Sequence, residues 1–500
     1  MISNKQIVNE CRKLAYTNSA SLDKDVYEAT SFELRDMWGK YGTAKVLAAL
    51  SITWSFDKAV SFFSRIQTAV RGGQRPRTIA TIYHRGYNGG VERVNAELMT
   101  LWVEMGYNVV FFTGEEENPL DYPYPDSVKR IVISGSNMFE RLEQLQTYCL
   151  SEQVDLLVYH DWTNQNFIWE CMLMKMMKIA VVLYCHGHFS WCFGSGKMAL
   201  YQPEAFKLAD IVVSLSDTNA RFYQLCGCNS YAVHNPVPAD LKSSTPGKDR
   251  LRKHILLIGR ISNEKYPMEA MQIFKAVHAK MPDAVLDIVG DGDEALIGEM
   301  KAYASDNNLS ASIVFHGKKS VDEITEFYQS CGVMLFTSKM EGYPMVVLEA
   351  KAYGIPLVMY DMPFLSLTKD GLGVLTAQAG DVAGMAENLV RVLSDAGLYT
   401  QLEKDARRSF DNLLAIDYRK VWEDIIAIVC EGKTIEDRAY YKAKDMNDTD
   451  RNIMPVLIEK MKLGYDNTLN NSFDYKVGQR VLGAPRYAKK VLKAVKGFLS

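Results

Sequence analysis

Two glutamates, Glu341 and Glu349, lie eight positions apart in the stretch "SKMEGYPMVVLEAKAYGIP" (Ser338–Pro356). A carboxylate that faces a phosphorylated ligand is best placed on hydroxyls, because a phosphate beside it would repel it. In a second stretch, "IGRISNEKYP", Arg260 and Lys265 flank a turn. Two cations so placed can grip a diphosphate without a metal. In a third, "GYNGGVERV", Gly89 and Gly90 allow the backbone to come close to a ligand, and the helix that follows offers N–H groups to an anion. Histidines form the fourth set: His160 follows "DLLVY", and His186 and His188 follow "AVVLYC". A histidine at the end of a strand can touch substrate, although a lone one is more often structural. His186 and His188 have a spacing that metal ligands could use, but no carboxylate or third histidine stands near them in sequence. "GDGDE" (Gly290–Glu294) holds two aspartates and reads as a glycine turn rather than a metal-binding pair.

These residues acquire meaning from the elements that carry them. From Thr78 short apolar runs alternate with amphipathic stretches: "TIATIYH", "YNVVFFTG", "VDLLVYHD", "KIAVVLYCHGH", "DIVVSLSD" and "SYAVHNPV". Such alternation predicts a parallel sheet with helices on both faces. After a polar linker, "PADLKSSTPGKDR" (Pro238–Arg250), it restarts with "HILLIGR", "AVLDIVGDG", "SIVFHGK", "GVMLFTS", "IPLVMYD" and "LGVLTAQ". The expectation is a helical N-terminal extension over 1–77, two tandem doubly wound domains over 78–240 and 250–432, and a C-terminal tail over 433–500. In an open α/β domain ligands bind at the carboxyl ends of the strands. All four candidate sets fall there. Pro344 suits the first position of the helix after "GVMLFTS", with Gly354 and Pro356 at its end. Glu341 is then in the loop and Glu349 about one and a half turns into the helix.

Composition narrows the class. The chain has 500 residues, more than one ordinary core holds, with 48% hydrophobic and 23% charged residues. A net charge of −3 speaks against a polycation that binds nucleic acid. Nine scattered cysteines fit reduced thiols in a cytosolic protein better than a disulfide framework. The N-terminus lacks the pattern of a signal peptide, and "VLAALSITWSF" (Val46–Phe56) is too short to span a bilayer. The last stretch differs. From Lys476 it carries Arg480, Arg486, Lys489, Lys490, Lys493 and Lys496 with no acid, and Val491, Leu492, Val495, Phe498 and Leu499 recur at near-helical spacing. A basic amphipathic helix over 476–500 that docks on an anionic membrane surface is expected.

Taken together, "GRISNEK", "IVGDGDE", "VFHGK" and "EGYPMVVLEAKAYGIPLV", with "GGVERV" and "HNPVP" before them, resemble the retaining glycosyltransferases of family 4, which have the GT-B fold. The likeness covers about residues 78–430. It implies a nucleotide-diphosphate sugar held mostly by the second domain and closed over by the first. Gly259, Arg260 and Lys265 would meet the diphosphate, with N–H groups around Gly342, Tyr343, Pro344 and Met345. Glu349 would hold the ribose, and Glu341 the donor sugar near the reacting centre. Lys318 would meet the base through its backbone. His186 would approach the sugar and phosphate from the first domain, with Gly89 and Gly90 beside the diphosphate and acceptor. The family transfers a hexosyl group with retention and generally needs no metal or other cofactor. No clear nucleophile stands out, which favours a same-face route. The implied enzyme is cytoplasmic, peripheral on the inner face of the cell membrane if its basic tail docks there, and acts on a glycan or lipid-linked acceptor for surface polysaccharide or glycoconjugate. A catalytically silent partner subunit is one alternative, and a nucleotide-sugar epimerase of the same fold is another. The second would not be expected to carry "GRISNEK" together with "EGYPMVVLE".

Overall fold

A computed structural model of the protein describes residues 3–14, 22–66, 75–87, 89–193, 197–247 and 250–431. The basic stretch over 476–500 lies outside the described residues.

Among the described residues the chain opens with four helices, α1 (Asn4–Cys11), α2 (Lys24–Tyr41), α3 (Thr43–Thr53) and α4 (Phe56–Phe63). The first sheet and its helices follow as β1 (Thr78–Ile82), α5 (Gly90–Glu104), β2 (Asn108–Thr113), β3 (Lys129–Val132), α6 (Met138–Ser151), β4 (Leu156–Tyr159), α7 (Phe167–Met176), β5 (Ala180–Cys185), α8 (Lys197–Phe206), β6 (Ile211–Ser214), α9 (Asp217–Leu225) and β7 (Ser230–Ala232). A one-turn helix, α10 (Ala239–Lys242), interrupts the expected polar linker. The second sheet comprises β8 (Leu251–Ile258), α11 (Pro267–His278), β9 (Val285–Val289), α12 (Glu294–Asp306), β10 (Ile313–Gly317), α13 (Val321–Ser330), β11 (Cys331–Phe336), α14 (Met345–Ala352), β12 (Leu357–Tyr360), β13 (Val374–Ala377) and α15 (Val382–Ser394). Two longer helices end the described chain, α16 (Ala396–Leu414) and α17 (Tyr418–Glu431).

Every strand pairing among the described residues is parallel. The first sheet has the order β3-β2-β1-β4-β5-β6-β7 and the second β10-β9-β8-β11-β12-β13. Strands such as β1 (TIATI) and β11 (CGVMLF) are buried along their whole length, as parallel strands covered on both faces must be. α5 turns Val94, Leu98 and Trp102 inward at helical spacing. α13 begins with a capping box in which Ser320 and Glu323 satisfy each other's backbone N–H groups.

The N-terminal helices are not a separate body. α3 packs on α6 and α7, and Val46, Leu47 and Leu50 join the core under the first sheet. Burial of three such side chains contributes about 1.5–3 kcal/mol each. A second core layer runs through both domains, from Val94 and Trp102 of α5 to Tyr328, Leu348 and Tyr353 of the second. α17 closes this layer. Trp422 meets Trp102 edge-on at 4.8 Å between ring centroids, and the Tyr418 hydroxyl donates to the Asn235 carbonyl at 2.6 Å. α17 thus rests on the first domain, with Trp422 against the buried Trp102 of α5 and the helix packed on β5.

Candidate active site

In each sheet the strand order reverses at one place, between β1 and β4 and between β8 and β11. Doubly wound sheets bind ligands at the carboxyl ends of the strands beside such a reversal. The turn after β8 carries Gly259, Arg260 and Lys265, and the turn after β11 carries Glu341 to Met345.

The β8 turn is shaped by its neighbour. Gly290 has φ +138°, and a Cβ there would lie 2.0 Å from the Gly259 carbonyl oxygen. Only a glycine lets the two turns stack so closely. Ile261 N–H donates to the Asp291 carbonyl at 2.8 Å and Asp293 N–H to the Ile261 carbonyl at 2.9 Å, which lays "GDGDE" along "GRIS". The Asp293 carboxylate caps α12 through the Ala295 and Leu296 N–H groups. Beyond Lys265 the chain passes through Tyr266 in the left-handed region (φ +51°) before Pro267 opens α11. A non-glycine residue held there costs about 1 kcal/mol. Thr337, at the end of β11, anchors the bend by donating to the Lys265 carbonyl at 2.8 Å.

The Lys265 ammonium pairs with the Glu341 carboxylate, and both side chains are largely covered. Lys339 of the same loop pairs with Glu269 of α11 at 2.5 Å, which ties the Glu341 loop to the β8 turn. Arg260 stands apart: it is 71% exposed and pairs with Glu264 at 2.9 Å. Pro344 is the cap of α14 rather than its first residue, so Glu349 lies four residues past the helix start instead of five, about 1.1 turns in. Both its oxygens are engaged. Oε1 accepts from Arg93 of α5 at 2.5 Å and Oε2 from the Tyr328 hydroxyl at 2.5 Å. Lys318 is exposed just beyond β10, on the edge of the sheet.

The first domain contributes a rigid edge. Asn219, fully buried on α9, brackets the loop after β5: its amide donates to the Gly187 carbonyl at 2.9 Å and accepts from Phe189 N–H at 3.0 Å. The rings of His186, Tyr184 and His160 stack, and His186 Nε2 lies 2.8 Å from His160 Nδ1. Burial depresses His160 to about 3. Burial, then His160, also holds His186 well below its ordinary value. Both rings are therefore neutral at physiological pH, and one N–H is shared between them. His188 belongs to the same loop but faces elsewhere, with its ring 4.3 Å from that of Phe364 across the cleft.

The two edges meet at glycines. A Cβ on Gly342 would lie 2.1 Å from the His186 carbonyl oxygen, and one on Gly90 would lie 3.2 Å from Met345 Cγ. Gly89 caps α5 in an extended conformation. The structure thus brings together Lys265, Glu341, Gly342, His186 and the Gly90–Met345 contact, with Glu349 beside them. It leaves Arg260 at the rim and Lys318 at the sheet edge. Arg93, Tyr328 and Asn219 were not singled out in the sequence. Arg93 lies within "GGVERV", but nothing in the chain's local pattern shows that it crosses to the other domain. Among the described residues, no group of three or more His, Cys, Asp and Glu side chains is arranged to hold a metal ion.

The two parallel sheets facing one another across this cleft form the GT-B fold, as in Anabaena HepE crystallised with UDP and glucose. That structure matches with a TM-score of 0.58 at 14% identity, over 70% of this chain and 99% of the other. The family model "Glycosyltransferase Family 4" matches residues 88–241, and "Glycosyl transferases group 1" matches residues 241–409. Fold and family models together support a GT-B glycosyltransferase. A similar curated protein is the amylovoran biosynthesis glycosyltransferase AmsD of Erwinia amylovora, 29% identical over 283 residues, or 55% of this chain and 78% of the relative. Another is the N,N'-diacetylbacillosaminyl-diphospho-undecaprenol alpha-1,3-N-acetylgalactosaminyltransferase of Campylobacter jejuni, 28% identical over 239 residues, or 44% of this chain and 62% of the relative.

Proposed function

We propose that the protein is a retaining, metal-independent hexosyltransferase of family 4. It would move a sugar from a nucleotide-diphosphate donor to a glycan or lipid-linked acceptor in surface polysaccharide synthesis. The observation that carries this reading is the seam at Gly342, where the loop bearing Glu341 and its partner Lys265 lies directly against the His186–Gly187 edge of the first domain. An arriving diphosphate would exchange with Glu341 for the Lys265 ammonium, and Arg260 would swing in from the rim. The freed Glu341 would then accept hydroxyls of the donor sugar. The bond from the anomeric carbon to the phosphate oxygen breaks while the acceptor oxygen forms its bond to the same face. The acceptor proton passes to the departing phosphate. Lys265, Arg260 and the N–H groups at the start of α14 stabilise the charge that develops there. His186, kept neutral by burial, would serve as a hydrogen-bonding wall rather than a cation.

The relatives' names support the acceptor class: AmsD is named for amylovoran biosynthesis and the Campylobacter enzyme for a diphospho-undecaprenol substrate. The intact set of Lys265, Glu341 and Glu349 favours an enzyme over a silent partner subunit. The basic stretch over 476–500 would hold the protein at the anionic membrane face where such an acceptor lies. The test is a panel of nucleotide sugars assayed for binding and slow hydrolysis, with and without EDTA. One donor should be turned over, and EDTA should leave the rate unchanged. No turnover of any donor, or loss of rate restored by Mn²⁺, contradicts the reading.

A further inference from the structure

Glu349 is held from both sides of the cleft. Tyr328, buried in the second domain, binds Oε2, while Arg93, on the helix that follows the Gly89–Gly90 turn, reaches across to Oε1. Arg93 is itself aimed by Asp240 of α10, whose two oxygens accept from its Nη2 at 2.7 and 2.6 Å. Only 14% of the Arg93 side chain and 12% of that of Glu349 are exposed. We propose that Arg93 is a positioning residue for the nucleotide: it fixes Glu349 from the opposite domain so that the carboxylate's remaining lone pairs receive the two ribose hydroxyls. The proposal rests on the reading of Glu349 as the ribose ligand.

The donor and acceptor inventory supports it. An ionised carboxylate has about four acceptor sites. Arg93 occupies one on Oε1 and Tyr328 one on Oε2, which leaves one on each oxygen. A vicinal diol needs that number. A guanidinium forms a planar, always-charged fork, so its hold on Glu349 fixes an angle as well as a charge. Because Arg93 belongs to one domain and Glu349 to the other, the seat for the ribose is complete only while the domains are in contact. Nucleotide affinity and domain contact are then linked, each favouring the other. A plain strut between domains would behave differently: its loss would weaken every nucleotide alike, whether or not the hydroxyls are present.

That difference is the test. Dissociation constants of the full-length protein are measured by calorimetry for UDP, ADP and GDP. The one that binds is compared with its 2′,3′-dideoxy counterpart. The wild type should prefer the ribonucleotide by about tenfold or more. Arg93→Ala should weaken the ribonucleotide about tenfold and the dideoxy form less than about twofold, so that the preference collapses. Arg93→Lys should restore part of it. Tyr328→Phe removes only a hydroxyl from the other side of the same carboxylate and should reduce the preference in the same way, which covers the case of an unfolded Arg93→Ala. Equal weakening of both nucleotides in these variants, or a wild type indifferent to the hydroxyls, overturns the proposal. A wild type that binds none of the three overturns the nucleotide reading of the second domain as well.

Discussion

Alanine in place of Gly342 would put a methyl carbon 2.1 Å from the His186 carbonyl oxygen and 3.1 Å from its carbon. Both contacts are to backbone, and the loop that carries them is clamped by Asn219, so no side chain can swing away. Carbon and oxygen approach to a little over 3 Å, so the two edges must part by about 1 Å. A displacement of that size at a reacting centre costs about a hundredfold in rate. Turnover of the donor by Gly342→Ala should therefore fall about a hundredfold while far-UV circular dichroism is unchanged. Gly298→Ala on α12 is the control: its methyl would meet nothing within 4 Å, and its rate should stay at the wild-type level. Near-normal turnover by Gly342→Ala, or equal losses in both variants, would refute the idea that the seam at His186 sets the site.

Lys265→Ala and Glu341→Ala should each lower sugar transfer by about a hundredfold to a thousandfold with the fold intact, judged by steady-state rates and thermal melts; near-normal rates in both would remove these residues from the site. His160 and His186 fold as neutral rings with depressed pKa values, whereas the unfolded chain takes up their protons near pH 6.5. Their contribution to stability is thus complete above about pH 6.5 and declines as the pH falls, for His160 until about pH 3, by at most about 1.4 kcal/mol per pH unit for each ring. Urea melts between pH 7 and 5 should show a shallower pH slope for His160→Gln than for the wild type, and equal slopes contradict this. Removal of residues 476–500 should abolish co-sedimentation with anionic vesicles, and undiminished sedimentation would deny that stretch a membrane role.

Most of the fold was legible in the sequence because parallel strands buried on both faces read as unbroken apolar runs. β1, β4, β5 and β11 are of that kind. β3 was not legible: it is a four-residue edge strand, KRIV, in which Ile131 alone is buried and Lys129 is exposed. The turns at strand ends were legible for the same reason, since a strand that is certain fixes the residues that follow it. Contacts between the domains were not. Arg93 and Glu349 are 256 positions apart, and an amphipathic helix shows which face is buried but not what lies against it. That limit also hid the return of α17 to α5 and the approach of Gly342 to His186. The depth of Glu349 differs from expectation by one residue, a little over a quarter of a turn, because proline is accepted both as a cap and as the first helical residue, and the local sequence "GYPMVV" satisfies either.

A crystal structure of the protein soaked with the nucleoside diphosphate that binds it would decide whether these turns form one donor site. The β-phosphate should lie within hydrogen-bond distance of Lys265 and Arg260, with the ribose hydroxyls on Glu349 and Glu341 released from Lys265. A nucleotide bound elsewhere, or one bound with the Lys265–Glu341 pair intact and Glu349 out of reach of the ribose, would contradict that site.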